Sequence, residues 1–105
     1  MAVVNTVLTD LRQRLVELYG PRLDRLLLFG SRARGDAEER ADLDVLVVLH
    51  GEVRPGEEIR RTGGIVAELS LINDLVISCA FVSSHRFMVE RSPFLLNVRR
   101  EGVAI

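Results

Sequence analysis

Two short apolar runs joined by a charged connection constrain the fold of this chain more than any other feature. The first run, Leu26–Phe29, ends at Gly30-Ser31. After ten intervening residues, Asp42-Leu43-Asp44 begins the second run, which continues through Val45–Leu49. Short apolar runs bounded by glycine are typical of buried strands. We therefore predict two strands of one sheet, with the charged connection held between them.

The residues that follow the first run suit the binding of phosphate. Gly30 lets the backbone leave the strand without a Cβ atom, so that a ligand can approach it closely. The hydroxyl of Ser31 can both donate and accept hydrogen bonds. Arg32 and Arg34 add positive charge, which favours phosphate. We expect Gly30, Ser31 and Arg34 to contact the phosphates of a ligand.

The residues that begin the second run suit the binding of a metal ion. Asp42 and Asp44 are two residues apart at the head of a predicted strand, so their side chains leave the same face of the sheet. Two like charges at this spacing repel each other unless a cation lies between them. Mg²⁺ is commonly bound by one or two carboxylates together with substrate phosphates. The pair therefore predicts a metal site beside the phosphates.

These residues together resemble the signature of the DNA polymerase β-like nucleotidyltransferases. Gly30-Ser31, the ten-residue spacer and Asp42-x-Asp44 supply the motif, and the wording GSRARG…DLDVLVV looks most like the minimal nucleotidyltransferases. The resemblance extends from about Leu11 to about Gly102. It implies an α/β (α+β) fold of the polymerase β-like type, in which a small mixed β-sheet is flanked by helices.

The resemblance also implies a third acidic residue in the site. Asp74 precedes an apolar run, and we interpret Asp74–Val82 as a third strand that would bring its first residue beside the other two aspartates. Glu68, in the preceding predicted helix, is the alternative. The expected catalytic and metal-binding set is Asp42, Asp44 and Asp74, with Gly30, Ser31 and Arg34 binding the nucleotide. The family implies Mg²⁺ as cofactor, with one or two ions, and ATP as substrate.

The function implied by this resemblance is metal-dependent transfer of AMP from ATP to a hydroxyl group. Minimal nucleotidyltransferases are often encoded beside a HEPN-domain protein as a toxin–antitoxin pair. The expected acceptor is therefore a tyrosine of a partner HEPN toxin, with this chain as the antitoxin in a hetero-oligomer. One alternative is a binding module that neutralises a HEPN ribonuclease by complex formation alone. Another keeps the chemistry but transfers the nucleotide to a small molecule or RNA.

Composition sets limits on these interpretations. A chain of 105 residues is expected to form a single domain over residues 1–105, and 48% hydrophobic residues exclude a disordered chain. A net charge of −1 provides no general basic field, so direct binding of nucleic acid is not expected. The apolar runs are too short to span a bilayer, and the N-terminus lacks the pattern of a signal peptide. The single cysteine, Cys79, cannot form an internal disulfide, so a reducing cytoplasmic location is expected.

The rest of the chain is predicted to be mainly helical. Hydrophobic periodicity, capping residues and helix-ending glycines predict four helices: Asn5–Tyr19, Glu57–Leu71, a short helix capped by Ser83 or Ser84, and a last helix from Ser92-Pro93 to Gly102. Gly63-Gly64 lies in the middle of the second helix. Because glycine destabilises a helix interior, we expect a kink, a break or close packing there.

Overall fold

The chain folds as a mixed sheet with helices on both faces. The computed structural model describes residues 2–34 and 42–105, and side chains within 4–33 and 42–105. The elements in chain order are α1 (Ala2–Tyr19), a 3-10 turn (Gly20–Arg22), β1 (Leu23–Phe29), α2 (Ser31–Arg34), β2 (Leu43–Leu49), α3 (Pro55–Asn73), β3 (Ile77–Ser83), α4 (Ser84–Val89), α5 (Pro93–Glu101) and β4 (Val103–Ala104).

The strand order places three strand ends at one edge of the sheet. In the part of the chain that the structure describes, the sheet has the order β3-β2-β1-β4. β2 is antiparallel to β1 and parallel to β3, with Asp44 paired to Phe29 on one side and to Ser78 on the other. The end of β1 and the beginnings of β2 and β3 therefore lie together.

Alternation along the strands divides the core into two layers. Val45 and Val47 of β2 belong to a first cluster on the face that α1 and α3 cover, through residues such as Leu11 and Leu69. Leu46 and Val48 belong to a second cluster on the opposite face, which α4 and α5 cover through Phe87, Leu95 and Val98. Since side chains alternate along a strand, Asp44 lies on the same face as Leu46 and Val48.

The predicted fold class and the serine caps of α4 and α5 are confirmed, whereas α1 begins at Ala2 rather than at Asn5 and α3 at Pro55 rather than at Glu57. The mixed sheet flanked by helices is the expected α/β arrangement. Ser83 caps α4 by accepting a hydrogen bond from the Arg86 N–H at 3.1 Å. Ser92 caps α5 by accepting from the Leu95 N–H at 3.3 Å, and Pro93 occupies the first turn. Serine and proline at these positions satisfy or remove N–H groups that have no partner within the helix.

Further details also differ from the predictions. β3 begins at Ile77, and Asp74 instead ends α3 as a left-handed cap with φ of 51°. α3 continues through Gly63-Gly64, and a Cβ atom at either glycine would meet nothing within 4 Å, so the expectation of a break or of close packing is wrong. The pairing of Val103–Ala104 with β1 was not predicted, because two residues carry no detectable period.

The helices of residues 2–34 and 42–105 are all too short or too polar to cross a membrane.

Candidate active site

The candidate site is built on a close approach between Gly30 and Asp44. Gly30 follows β1 with a φ of +77°, a conformation that side chains disfavour. A Cβ atom at Gly30 would lie 2.7 Å from Oδ2 of Asp44. Both the backbone angle and the neighbouring carboxylate therefore require glycine, and the carboxylate lies directly against the backbone at the end of β1.

The electrostatics of the site favour a cation. Asp44 is half-buried and Asp42 is exposed at the beginning of β2. Burial raises the pKa of Asp44, and the charge of Asp42 raises it further. The ionised pair is therefore unfavourable in the protein alone. Two hard carboxylate oxygens with room for further ligands fit Mg²⁺, which would be held by Asp42 and Asp44 together with substrate phosphates.

The predicted phosphate-binding residues lie at the same place in the fold as far as the structure describes them. Ser31 is half-buried and begins α2 immediately after Gly30, the residue that lies against the carboxylate of Asp44. Arg32 follows in the same turn. The backbone of Arg34 is helical, but its side chain lies outside the described residues. Phosphate binding by Gly30, Ser31 and Arg34 stays a prediction.

Asp74 does not lie at the head of β3, as the sequence had led us to expect. It ends α3, which packs on the first face of the sheet through Leu69, whereas Asp44 lies on the second face. Within residues 2–34 and 42–105, no three Asp, Glu, His or Cys side chains are close enough to hold one metal ion. The expected convergence of Asp42, Asp44 and Asp74 is therefore not found. The alternative, Glu68, is paired with Arg14 at 2.8 Å.

Ser78 occupies the strand position where the third acidic residue was expected. It is exposed, it lies on β3 and it is the direct parallel partner of Asp44. Its hydroxyl adds a neutral donor and acceptor to the row formed by Phe29, Asp44 and Ser78 across three strands. The alternation Ile77-Ser78-Cys79 could have indicated an outward-facing Ser78, but only the strand register places it beside Asp44.

Sequence comparisons connect the chain with nucleotidyl transfer. Residues 8–99 match the family model described as "Nucleotidyltransferase domain". A Methanocaldococcus jannaschii protein, provisionally named a protein adenylyltransferase, is 33% identical over 72 residues, which are 69% of this chain and 72% of that protein. A second protein of that organism and with the same provisional description is 29% identical over 97 residues. That match covers 92% of this chain but only 57% of the relative.

Solved structures share the fold. A chain from a toxin–antitoxin crystal structure with AMP-PNP superimposes with a TM-score of 0.60 at 18% identity, covering 90% of this chain and 69% of that one. A Sulfolobus solfataricus protein provisionally described as a nucleotidyltransferase gives a TM-score of 0.61 at 18% identity, covering 99% and 86% of the two chains. At these identities the likeness concerns the fold alone.

Proposed function

The chain belongs to the nucleotidyltransferase domain family, and from this premise we propose that it transfers AMP from ATP to a hydroxyl group of a partner protein. Membership makes the chain a nucleotidyltransferase. The nucleotide, the metal and the acceptor are the parts that we propose.

The contact between Gly30 and Asp44 is the observation that carries this proposal. A glycine after a strand leaves backbone N–H groups accessible to phosphate oxygens. The carboxylate at 2.7 Å from the missing Cβ position would repel a bare phosphate. A divalent cation between the two reverses the sign of that interaction. The geometry therefore suits a triphosphate that arrives with its metal ion.

Each residue of the site has a proposed part in the reaction. Gly30 and Ser31 would hold the β- and γ-phosphates through backbone N–H groups and the hydroxyl. Asp42 and Asp44 would hold one or two Mg²⁺ ions, which would neutralise the negative charge that develops at the α-phosphate and on the leaving pyrophosphate. The acceptor oxygen would form a bond to the α-phosphorus while the bond to the β-phosphate oxygen breaks. AMP is then attached to the acceptor, and pyrophosphate leaves with the triphosphate's other two phosphorus atoms.

Asp74 was predicted to act as the general base or as a further metal ligand. Its position at the end of α3, on the layer that covers the other face, gives that role no support from geometry. The acceptor proton would then pass to water or to the partner's own groups. The role of Asp74 is therefore tested separately from that of Asp42 and Asp44.

We propose that the acceptor is a tyrosine of a HEPN-domain toxin and that this chain is its antitoxin in a hetero-oligomer. Two relatives carry names that describe transfer of AMP to protein. Chains with this fold include members of toxin–antitoxin pairs. Val76, 57% exposed, accepts a backbone hydrogen bond from Leu43 at the beginning of β2. Leu71, 85% exposed, lines the same groove as Val76, so a protein acceptor could cover both.

Transfer of label from ATP to the partner tests the proposal. The chain is incubated with Mg²⁺, ATP labelled in the α-phosphate and the HEPN protein. The double variant Asp42→Asn/Asp44→Asn is compared with a control variant, Asp10→Asn/Glu17→Gln, which removes two exposed charges from α1. We expect label on the partner with the unchanged chain and the control, and none with the site variant.

Two results would contradict the proposal. Equal labelling by the site variant would exclude Asp42 and Asp44 from the reaction. Full neutralisation of toxin activity by the site variant without any label would favour neutralisation by complex formation. Replacing the labelled partner tyrosine by phenylalanine identifies the acceptor atom.

A further inference from the structure

A small cleft lies beside the candidate site, between the end of β1 and α5. It has a volume of about 170 Å³, and it is lined by Phe29, Gly30, Phe94, Asn97, Val98 and Glu101. Gly30 is common to this cleft and to the contact with Asp44. A ligand that places its phosphates at Gly30 can therefore also reach the cleft.

The wall of the cleft is aromatic. The rings of Phe29 and Phe94 meet edge to face, with centroids 5.3 Å apart and planes at 83°. Phe94 is 44% exposed, whereas its neighbours Leu95 and Val98 fill the core of the second face. An exposed phenylalanine held by a second ring offers a flat apolar surface that the packing of the protein itself does not use.

The polar groups at the α5 side of the cleft favour a neutral group over a phosphate there. None of the six lining residues, all of them described by the structure, is basic, and Glu101 contributes a carboxylate. Asn97 is exposed and accepts a hydrogen bond from Arg100 at 3.3 Å through its carbonyl oxygen, so its amide N–H groups are the donors that it can offer to a ligand in the cleft. A flat, neutral ring with polar atoms on its edge suits these groups.

A larger groove of about 470 Å³ exists at the end of α3, where Leu71, Asp74 and Val76 line it. It is a weaker candidate for the same ligand, because α3 covers the first face and Asp44 lies on the second. The cleft at Phe94 is on the face of Asp44, since Phe29 and Asp44 are direct partners in the sheet. The cleft at Phe94 and the groove at the end of α3 therefore belong to opposite faces of the sheet.

We infer that the cleft between Phe29 and α5 binds the base of the nucleoside triphosphate, with Phe94 stacking on the base and Asn97 donating to its edge. This inference rests on the proposed function, because it needs a nucleotide whose phosphates lie at Gly30. It adds the residues that hold the nucleoside half, which the Gly-Ser and aspartate motif leaves undefined.

The absence of tryptophan from the chain makes a direct test possible. In the variant Phe94→Trp, the indole is the single tryptophan and keeps the stacking surface. We expect its fluorescence to be quenched by Mg²⁺-ATP and unaffected by Mg²⁺-tripolyphosphate, which has no base. Leu96→Trp is the control, since Leu96 is similarly exposed, at 40%, on the same helix but does not line the cleft. Equal quenching in the two variants would overturn the inference.

Calorimetry separates this inference from the proposed function. Phe94→Ala should weaken binding of Mg²⁺-ATP roughly tenfold, the usual range for loss of one stacked base, and leave Mg²⁺-tripolyphosphate unchanged; Leu96→Ala should change neither. If Phe94→Ala binds Mg²⁺-ATP as tightly as the unchanged protein does, and both ligands still bind, the inference about the base site is wrong but the proposed function is not contradicted. If the unchanged protein binds neither ligand, the proposed function fails as well.

Discussion

Two carboxylates at opposite ends of the sheet have opposite environments. Asp44 lies where β1 ends, against Gly30 and beside a second aspartate. Glu58 of α3 lies near Arg22, which precedes β1, and it is only 2% exposed. It accepts hydrogen bonds from the Tyr19 hydroxyl at 2.7 Å, from Arg22 at 3.0 Å and from Arg61 at 2.6 Å.

The pKa shifts of the two groups have opposite signs for this reason. Burial raises the pKa of Glu58, but the hydrogen bonds from Tyr19 and Arg22 and the charges of Arg22 and Arg61 more than offset it, so the pKa is lowered. For Asp44, burial and Asp42 both act to raise the pKa. The protein thus compensates the charge of Glu58 internally and leaves that of Asp44 for a ligand. A fully partnered carboxylate indicates structure, and an uncompensated one indicates a site.

The largest expected effect is on catalysis by Asp44→Asn. Nucleotidyl transfer should fall at least about a hundredfold, because the variant removes a proposed ligand of the cation that would stabilise the transition state. The melting temperature without ligand should stay the same or rise, since an unfavourable charge is removed. Initial rates and thermal melts measure the two quantities. Loss of rate together with a much lower melting temperature would mean that Asp44 is structural.

Glu58→Ala is expected to have the reverse effect, a loss of stability rather than of transfer rate. Removing this carboxylate leaves Arg22, Arg61 and the Tyr19 hydroxyl without their common acceptor, at a cost of about 3 kcal/mol in the free energy of unfolding. Tyr19→Phe removes one of the donors and should cost about 1 kcal/mol. Denaturant titrations measure both values. An unchanged midpoint for Glu58→Ala would show that the network contributes nothing.

The two groups should also give stability opposite dependences on pH. Glu58 has a lowered folded pKa, so its contribution is complete above its unfolded value of 4.5 and is lost as the pH falls through the folded value. Asp44 has a raised folded pKa, so stability is lost as the pH rises from its unfolded value of 3.8 through the folded value. The wild type should have a higher free energy of unfolding than Glu58→Gln, and this difference should shrink in acid. Asp44→Asn should have a higher free energy of unfolding than the wild type, and this difference should grow towards neutral pH.

The smallest expected effect is that of Asp74→Asn. Because Asp74 ends the helix that covers the other face, we expect its replacement to change the transfer rate less than about threefold, well below the effect of a lost metal ligand. Initial rates at saturating Mg²⁺-ATP measure this. A loss comparable to that of Asp44→Asn would restore Asp74 to the catalytic set and require α3 to move on binding.

Much of the fold could be predicted from local patterns. The apolar runs of β1 and β2, the serine caps of α4 and α5 and the glycine after β1 each depend on neighbouring residues, and the structure has them in the expected places. Asp74 was misplaced because Leu75 and Val76 continue an apolar run in the sequence but lie before β3 in the structure. A hydrophobic run does not reveal where strand pairing begins.

The sequence by itself determined the family, the two strands that flank the motif and the pair Asp42 and Asp44, because a fixed spacing and a period of two encode them. Only the tertiary structure decided that Ser78 stands beside Asp44, that Asp74 ends α3 and that Phe94 lines a cleft with Gly30. These relations join residues distant in the chain through strand register and helix packing. No local pattern carries that information.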